Sequence, residues 1–171
     1  MGGCVHRRES VSMATWRELL ETQPEIGAVG TQLLEKHGLA YLATVRADGS
    51  PRVHPVCPFI ADGRLFVATA LTSPKRLDLL RDGRYVLHML PGKNDDEFRI
   101  HGRATLVTDA ALRSIAVRGA REALQPSGKG IEVKDSEWLF EYDIEEAASA
   151  YWEHVGQPGT YPVRRAWRST R

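Results

Sequence analysis

Ser73, Lys75 and Arg76 open a short predicted helix and carry the clearest chemistry in this 171-residue chain. A helix start offers unpaired N–H groups and a partial positive charge. A hydroxyl and two cations placed there make a cradle for a phosphate. Cations in a first helical turn oppose the helix dipole, so helix stability does not account for them. Arg52 lies on an earlier strand, and Thr69 ends the strand that leads into the cradle. Adjacent barrel strands would bring Arg52, Thr69, Ser73, Lys75 and Arg76 around one phosphate. The backbone of Val53, His54, Pro55 and Val56 would then border a flat ring.

The elements that must position these groups start with residues 39–57, read as two strands joined at Asp48-Gly49. Leu39, Tyr41, Ala43 and Val45 fall on one face and Ala40, Leu42 and Thr44 on the other. Glycine adopts positive φ without steric cost, which makes the Asp-Gly pair a strong hairpin signal. Arg52, His54 and Val56 share a face of the return strand, while Pro51, Pro55 and Pro58 interrupt its pairing. Such a strand belongs at an edge, near a bulge, or beside something it must contact. Before the hairpin, Thr15 and Glu18 form a capping box, and a second helix runs from about Glu25 to His37, stopped by Gly38.

After the hairpin come strands at residues 65–69, 84–90, 97–107 and 138–144, and a helix capped by Thr108 or Asp109. Gly102 marks a bulge or a close approach within the third of these strands. Strands in mostly hairpin order, without regular strand–helix alternation, predict a mainly β fold with peripheral helices. The expected form is a six-stranded antiparallel barrel.

Other chemistries find little support. The six histidines are scattered, and no Gly-x-Ser-x-Gly elbow, His-x-His or Cys-x-x-Cys pair is present, so no metal site is expected. Gly128-Lys129 lacks the glycine spacing and following hydroxyl of a phosphate loop. Lys and Arg total 23 against 22 Asp and Glu, which argues against a nucleic-acid partner despite the basic end at Arg164, Arg165, Arg168 and Arg171. No apolar run approaches a membrane span. Cys4 and Cys57 are expected to be free thiols, and with no secretory signal they place the protein in the cytoplasm. Residues 1–12 read as an unstructured extension, 13–155 as the folded domain and 156–171 as a solvated basic tail.

The order Leu-Ala-Thr-Val-Arg-Ala-Asp-Gly-Ser-Pro-Arg-Val, Leu-Phe-Val-Ala-Thr, Ser-Pro-Lys-Arg-Leu-Asp-Leu-Leu-Arg-Asp-Gly-Arg and Phe-Arg-Ile-His-Gly-Arg-Ala resembles the pyridoxamine 5'-phosphate oxidase-like superfamily over residues 37–145. The resemblance implies an FMN-binding split β-barrel that forms a homodimer with cofactor sites at the interface. FMN is the expected ligand, with the deazaflavin F420 and haem as alternatives used by relatives. Carried over, Arg52 and Lys75 match phosphate-contacting cations and Ser73 a phosphate-side hydroxyl. Val53, His54, Pro55 and Val56 match the strand bordering the isoalloxazine, Ala68 and Thr69 the next strand's contact, and Glu97 a polar ring contact.

Two departures matter. Pro74 stands where relatives often carry Arg, leaving Arg76 as the substitute, and the C-terminal end lacks the Arg-Leu-His-Asp-Arg-like substrate motif. The second counts against pyridoxamine phosphate oxidation. The expected function is therefore an FMN-dependent oxidoreductase acting on an unidentified small molecule. An F420-dependent reductase and a non-enzymatic flavin- or haem-binding protein are the alternatives, with His54, His88 or His101 as haem ligand. Tyr151, Trp152 and His154 are expected after the last strand, either stacking near a partner's ring or plugging the barrel end.

Overall fold

A computed structural model describes residues 13–93, 95–123, 128 and 130–170. The expected N-terminal extension with Cys4 and His6, Lys129 and Arg171 lie outside the described residues. Helix α1 (Trp16–Thr22) opens with the expected capping box: Thr15 accepts from the Glu18 amide while Glu18 accepts from the Thr15 amide. Helix α2 (Pro24–His37) begins on Pro24 and ends at Gly38, whose φ of 62° is the left-handed stop that glycine supplies. Together they lay Trp16, Leu19, Ile26, Leu33 and Leu34 on the main core. A Cβ at Gly30 would come within 2.6 Å of the Phe98 ring, so the absent side chain is what lets α2 approach the sheet.

The strands are β1 (Ala40–Val45), β2 (Pro51–Val56), β3 (Phe59–Ala61), β4 (Arg64–Thr69), β5 (Arg84–Met89), β6 (Glu97–Leu106), β7 (Trp138–Glu153) and β8 (Tyr161–Arg168). Helix α3 (Pro74–Arg81) joins β4 to β5, and α4 (Ala110–Glu122) joins β6 to β7. All pairings are antiparallel, in the order β2-β1-β5-β6-β7-β4-β3, with β8 added to β7. The result is a split β-barrel. One core fills it around Leu42, Leu87, Phe98 and Tyr142; a second lies under α4 around Phe59, Phe66, Ala116 and Leu139. The β6–β7 register shifts between His101 and Gly102, where the bulge was expected.

The sheet has eight strands, not six. Strand β3 is three residues long and follows Pro58, too short to show alternation. Strand β8 occupies half of the segment read as a solvated tail. Its charge suggested disorder, but backbone pairing to β7 from Glu146↔Arg168 to Glu153↔Tyr161 orders it. Trp167 packs against the core while Arg164, Arg165 and Arg168 face solvent. Strand β7 also runs past residue 144, so Tyr151 and Trp152 lie on it rather than after it, opposite Val163 and Pro162. No helix among the described residues is long and apolar enough to cross a membrane.

Candidate functional site

Among the described residues strand β2 ends the sheet, paired with β1 alone. That position explains its prolines: a missing N–H costs nothing where no second neighbour exists. Arg52, His54 and Val56 turn toward the protein, while Pro51, Val53 and Pro55 are exposed. Beside this strand, α3 begins at Ser73 with Pro74 in its first turn. The Ser73 hydroxyl makes no capping bond to the helix backbone. Instead it accepts from the Lys75 ammonium at 3.0 Å.

Pro55, Val56, Cys57, Ala68, Lys75, Ile131, Glu132 and Glu137 line one cavity of about 290 Å³. Burial pulls the Lys75 ammonium below its ordinary pKa, with nearby Cys57 opposing that shift. No salt bridge to Lys75 occurs among the described residues, and its hydrogen bond to Ser73 is its only one there. Burial also raises the Cys57 thiol, against the pull of Lys75. Cys57 is a free cysteine. His54 is held below its usual pKa by burial first, then by the charges of Lys75 and Arg52. Its Nε2 is closed to solvent and has no hydrogen-bond partner.

Arg52 is engaged elsewhere on its guanidinium. Its Nε donates to Asp78 Oδ2 at 2.7 Å, and the Thr44 hydroxyl donates to the same oxygen at 3.0 Å. Arg81 reaches Asp78 Oδ1 at 3.4 Å and also donates to the Val45 carbonyl. Burial pushes the Asp78 carboxyl up, but the bonds from Arg52 and Thr44 outweigh it and hold the group below the usual range. Asp78 is 3% exposed, so this knot ties α3 to β1 and β2 from inside.

The structure thus brings Pro55, Val56, Ala68, Ser73 and Lys75 together; His54 feels the charges of Lys75 and Arg52, but neither His54 nor Arg52 lines the cavity. Arg76 is not at the cavity: its Nε donates to the Leu71 carbonyl, and its guanidinium lies 4.8 Å over the Trp138 ring. Thr69 is buried and gives its hydroxyl proton to the Trp138 carbonyl at 3.2 Å. Glu97 lies at the start of β6 beside Arg99 and Arg164, in a different cavity. Val53 is 60% exposed on the outer face.

Sequence reading missed Asp78, Thr44, Glu132 and Glu137. Asp78 had a signal: a carboxylate beside Leu79 on the inward face of a short helix needs a buried partner.

Three larger cavities lack this donor set; one of about 350 Å³ between β3 and α4 sets Arg118 beside Asp62 and Glu122. One of about 510 Å³ between α2, β3 and α4 is lined by Leu34, Glu35, Phe59 and Glu122 and has no cation. Another of about 350 Å³ on β1 and β5 contains Arg84, whose guanidinium is already clasped by Asp82. Among the described residues no group of three or more His, Cys, Asp or Glu could hold a metal ion.

A family model, pyridoxamine 5'-phosphate oxidase, matches residues 26–156. The chain belongs to the pyridoxamine 5'-phosphate oxidase family. The matched span contains Arg52, Ser73 and Lys75 and seven of the eight strands found among the described residues. Solved structures share the fold at low identity. A heme binding protein from Mycobacterium smegmatis superposes with a TM-score of 0.60 at 12% identity, over 85% of this chain and 59% of that one. This chain therefore spans well under two thirds of that protein's length.

A protein from Clostridium acetobutylicum related to general stress protein 26 of the pyridoxinephosphate oxidase family gives 0.58 at 13% identity, covering 89% and 95%. A putative pyridoxamine 5'-phosphate oxidase from Listeria innocua gives 0.52 at 20%, covering 68% and 91%. A search of curated protein sequences returned no match.

Proposed function

We propose that this protein binds FMN at the β2–α3 edge and serves as an oxidoreductase for a small molecule. The observation that carries the reading is Lys75: a half-buried ammonium that faces a cavity and has no carboxylate partner among the described residues. A desolvated cation without a counter-charge is costly, and a phosphate supplies that charge. Lys75 and Ser73 are donors that fit the group, while Glu132 and Glu137 line the same cavity and count against an anion at their end of it. Lys75 and Ser73 would hold the phosphate, with the terminal nitrogens of Arg52 as further donors. The free edge of β2 leaves backbone groups of residues 53–56 for a planar ring.

Bound FMN would supply hydride or single-electron transfer, which no side chain here provides. The chain's own part is to bind, orient and shield. Pro55, Val56, Ala68 and Ile131 give the cavity apolar walls, and His54, whose pKa is lowered by burial and by neighbouring cations, has no protein hydrogen-bond partner at Nε2. F420 also carries a phosphate and would use the same cations.

A homodimer completes the proposal. The outer face of β1, β2 and β5 leaves Tyr41, Val53 and Val86 at 48%, 60% and 39% exposure, an apolar surface that a second copy would cover. The free Cys57 thiol fits a reducing, cytoplasmic setting.

A second reading, haem binding without catalysis, draws support from the heme binding protein that shares this fold, with His54 as a ligand whose buried, unpartnered Nε2 would have to turn outward. Titration of the purified protein with FMN, F420 and haem separates the readings. FMN uptake that quenches flavin fluorescence, followed by turnover of the bound flavin with a reductant, supports the first. A Soret band lost in His54→Ala, with no flavin uptake, would replace it with the second.

A further inference from the structure

We propose that Asp78 is a positioning residue of the anion site, aligning Arg52 for a phosphate before a ligand arrives. The inference rests on the phosphate-binding reading of the β2–α3 edge and deepens it. Lys75 and Asp78 are three positions apart on α3, so they share a helix face. One points to the cavity; the other is buried against β1 and β2.

The carboxylate takes Arg52 by Nε at 2.7 Å, the inner nitrogen of the guanidinium. The two terminal nitrogens of Arg52 have no hydrogen-bond partner among the described residues, and a fixed Nε sets the direction in which they point. Thr44 fixes the carboxylate in turn, by a 3.0 Å bond to the same oxygen. Three elements, β1, β2 and α3, are therefore registered through one oxygen atom. Two cations on separate elements would otherwise be free to move independently, and their ordering would have to be supplied on binding.

The sign of the effect distinguishes positioning from simple charge. A carboxylate near an anion site repels the anion, so its neutralisation by charge alone would tighten binding. Alignment of Arg52 gives the opposite result. The test measures dissociation constants of FMN and of riboflavin, which lacks the phosphate, for wild type, Asp78→Asn, Arg52→Ala and the double variant. Asp78→Asn is expected to weaken FMN binding about 10-fold, the worth of one charge-assisted bond, and to leave riboflavin unchanged. In the Arg52→Ala background the Asp78 substitution is expected to change FMN binding by less than about 2-fold, because it acts through Arg52.

Unchanged or tighter FMN binding in Asp78→Asn overturns the inference, as does an equal loss for riboflavin. Thr44→Val serves where Asp78→Asn fails to fold: a loss of about 3-fold for FMN alone supports the role, and no loss removes it. A wild type that binds FMN and riboflavin equally sinks the phosphate reading itself, whereas FMN preference in wild type that survives in Asp78→Asn sinks only the positioning role.

Discussion

Asp78 on α3 and Asp143 on β7 are both withdrawn from water, yet their acidities move in opposite directions. Asp78 is held below the usual range although burial opposes it. Asp143 is pushed up to about 6, by burial first and then by the charges of Glu141 and Glu18, against the pull of Arg64. The difference lies in donors. Asp78 receives Arg52, Thr44 and Arg81. No side-chain donor reaches the Asp143 carboxylate among the described residues, and the nearby Arg64 is spent on Glu141 at 2.7 Å. Burial alone therefore does not decide whether a carboxylate organises its surroundings; the groups that reach it do.

The contrast can be broken at several points. The largest effect is expected from Asp78→Ala, which strands the part-buried Arg52 guanidinium. About 3 kcal/mol of stability should be lost in urea unfolding, the typical cost of removing one partner of a buried pair. Gly102→Ala comes next. A Cβ there would lie 2.0 Å from the Asp143 carbonyl oxygen, so the β6–β7 bulge must shift. A loss of about 2 kcal/mol follows from overpacking of that kind, read as a lower thermal midpoint.

Asp143→Asn sharpens the comparison in the other direction. A raised carboxyl pKa means that its stabilisation is present below the ordinary value of 3.8 and is lost as pH rises through about 6. The wild type therefore loses stability across that window, and Asp143→Asn should recover about 1 kcal/mol at pH 7, after allowance for solvent screening. Asp78 has the opposite sign: its contribution is present above the ordinary carboxylate range and fades as pH falls through the lowered value. Unfolding measured at a series of pH values in each variant separates the two slopes. The smallest effect is expected at Arg17→Ala, which breaks the solvent-exposed 2.7 Å pair with Asp62 and should cost less than about 0.5 kcal/mol.

The hairpin at residues 39–57, the capping box at Thr15, the Gly38 stop and the Gly102 bulge were legible because each is a local rule about a few neighbouring residues. That Ser73 and Lys75 lie side by side was legible for the same reason, since both belong to one helix start. Arg76 was not, because its fate depends on Trp138, some sixty positions away in sequence. The Asp78 knot depends on Thr44 and Arg52 arriving from two other strands, which no local pattern encodes. Strand β8 was hidden by its arginines: charge on the solvent face of an added strand looks the same as charge in a solvated tail.

The central claim is that the Lys75 cavity is a phosphate site for a flavin nucleotide. Its most direct test is the quenching of FMN and riboflavin fluorescence by wild type and Lys75→Ala. The account predicts FMN binding at least about 10-fold tighter than riboflavin in wild type, as one charge-assisted contact is worth, and a preference that collapses in Lys75→Ala. Equal affinity for the two ligands in wild type, or an FMN preference untouched by Lys75→Ala, would contradict it.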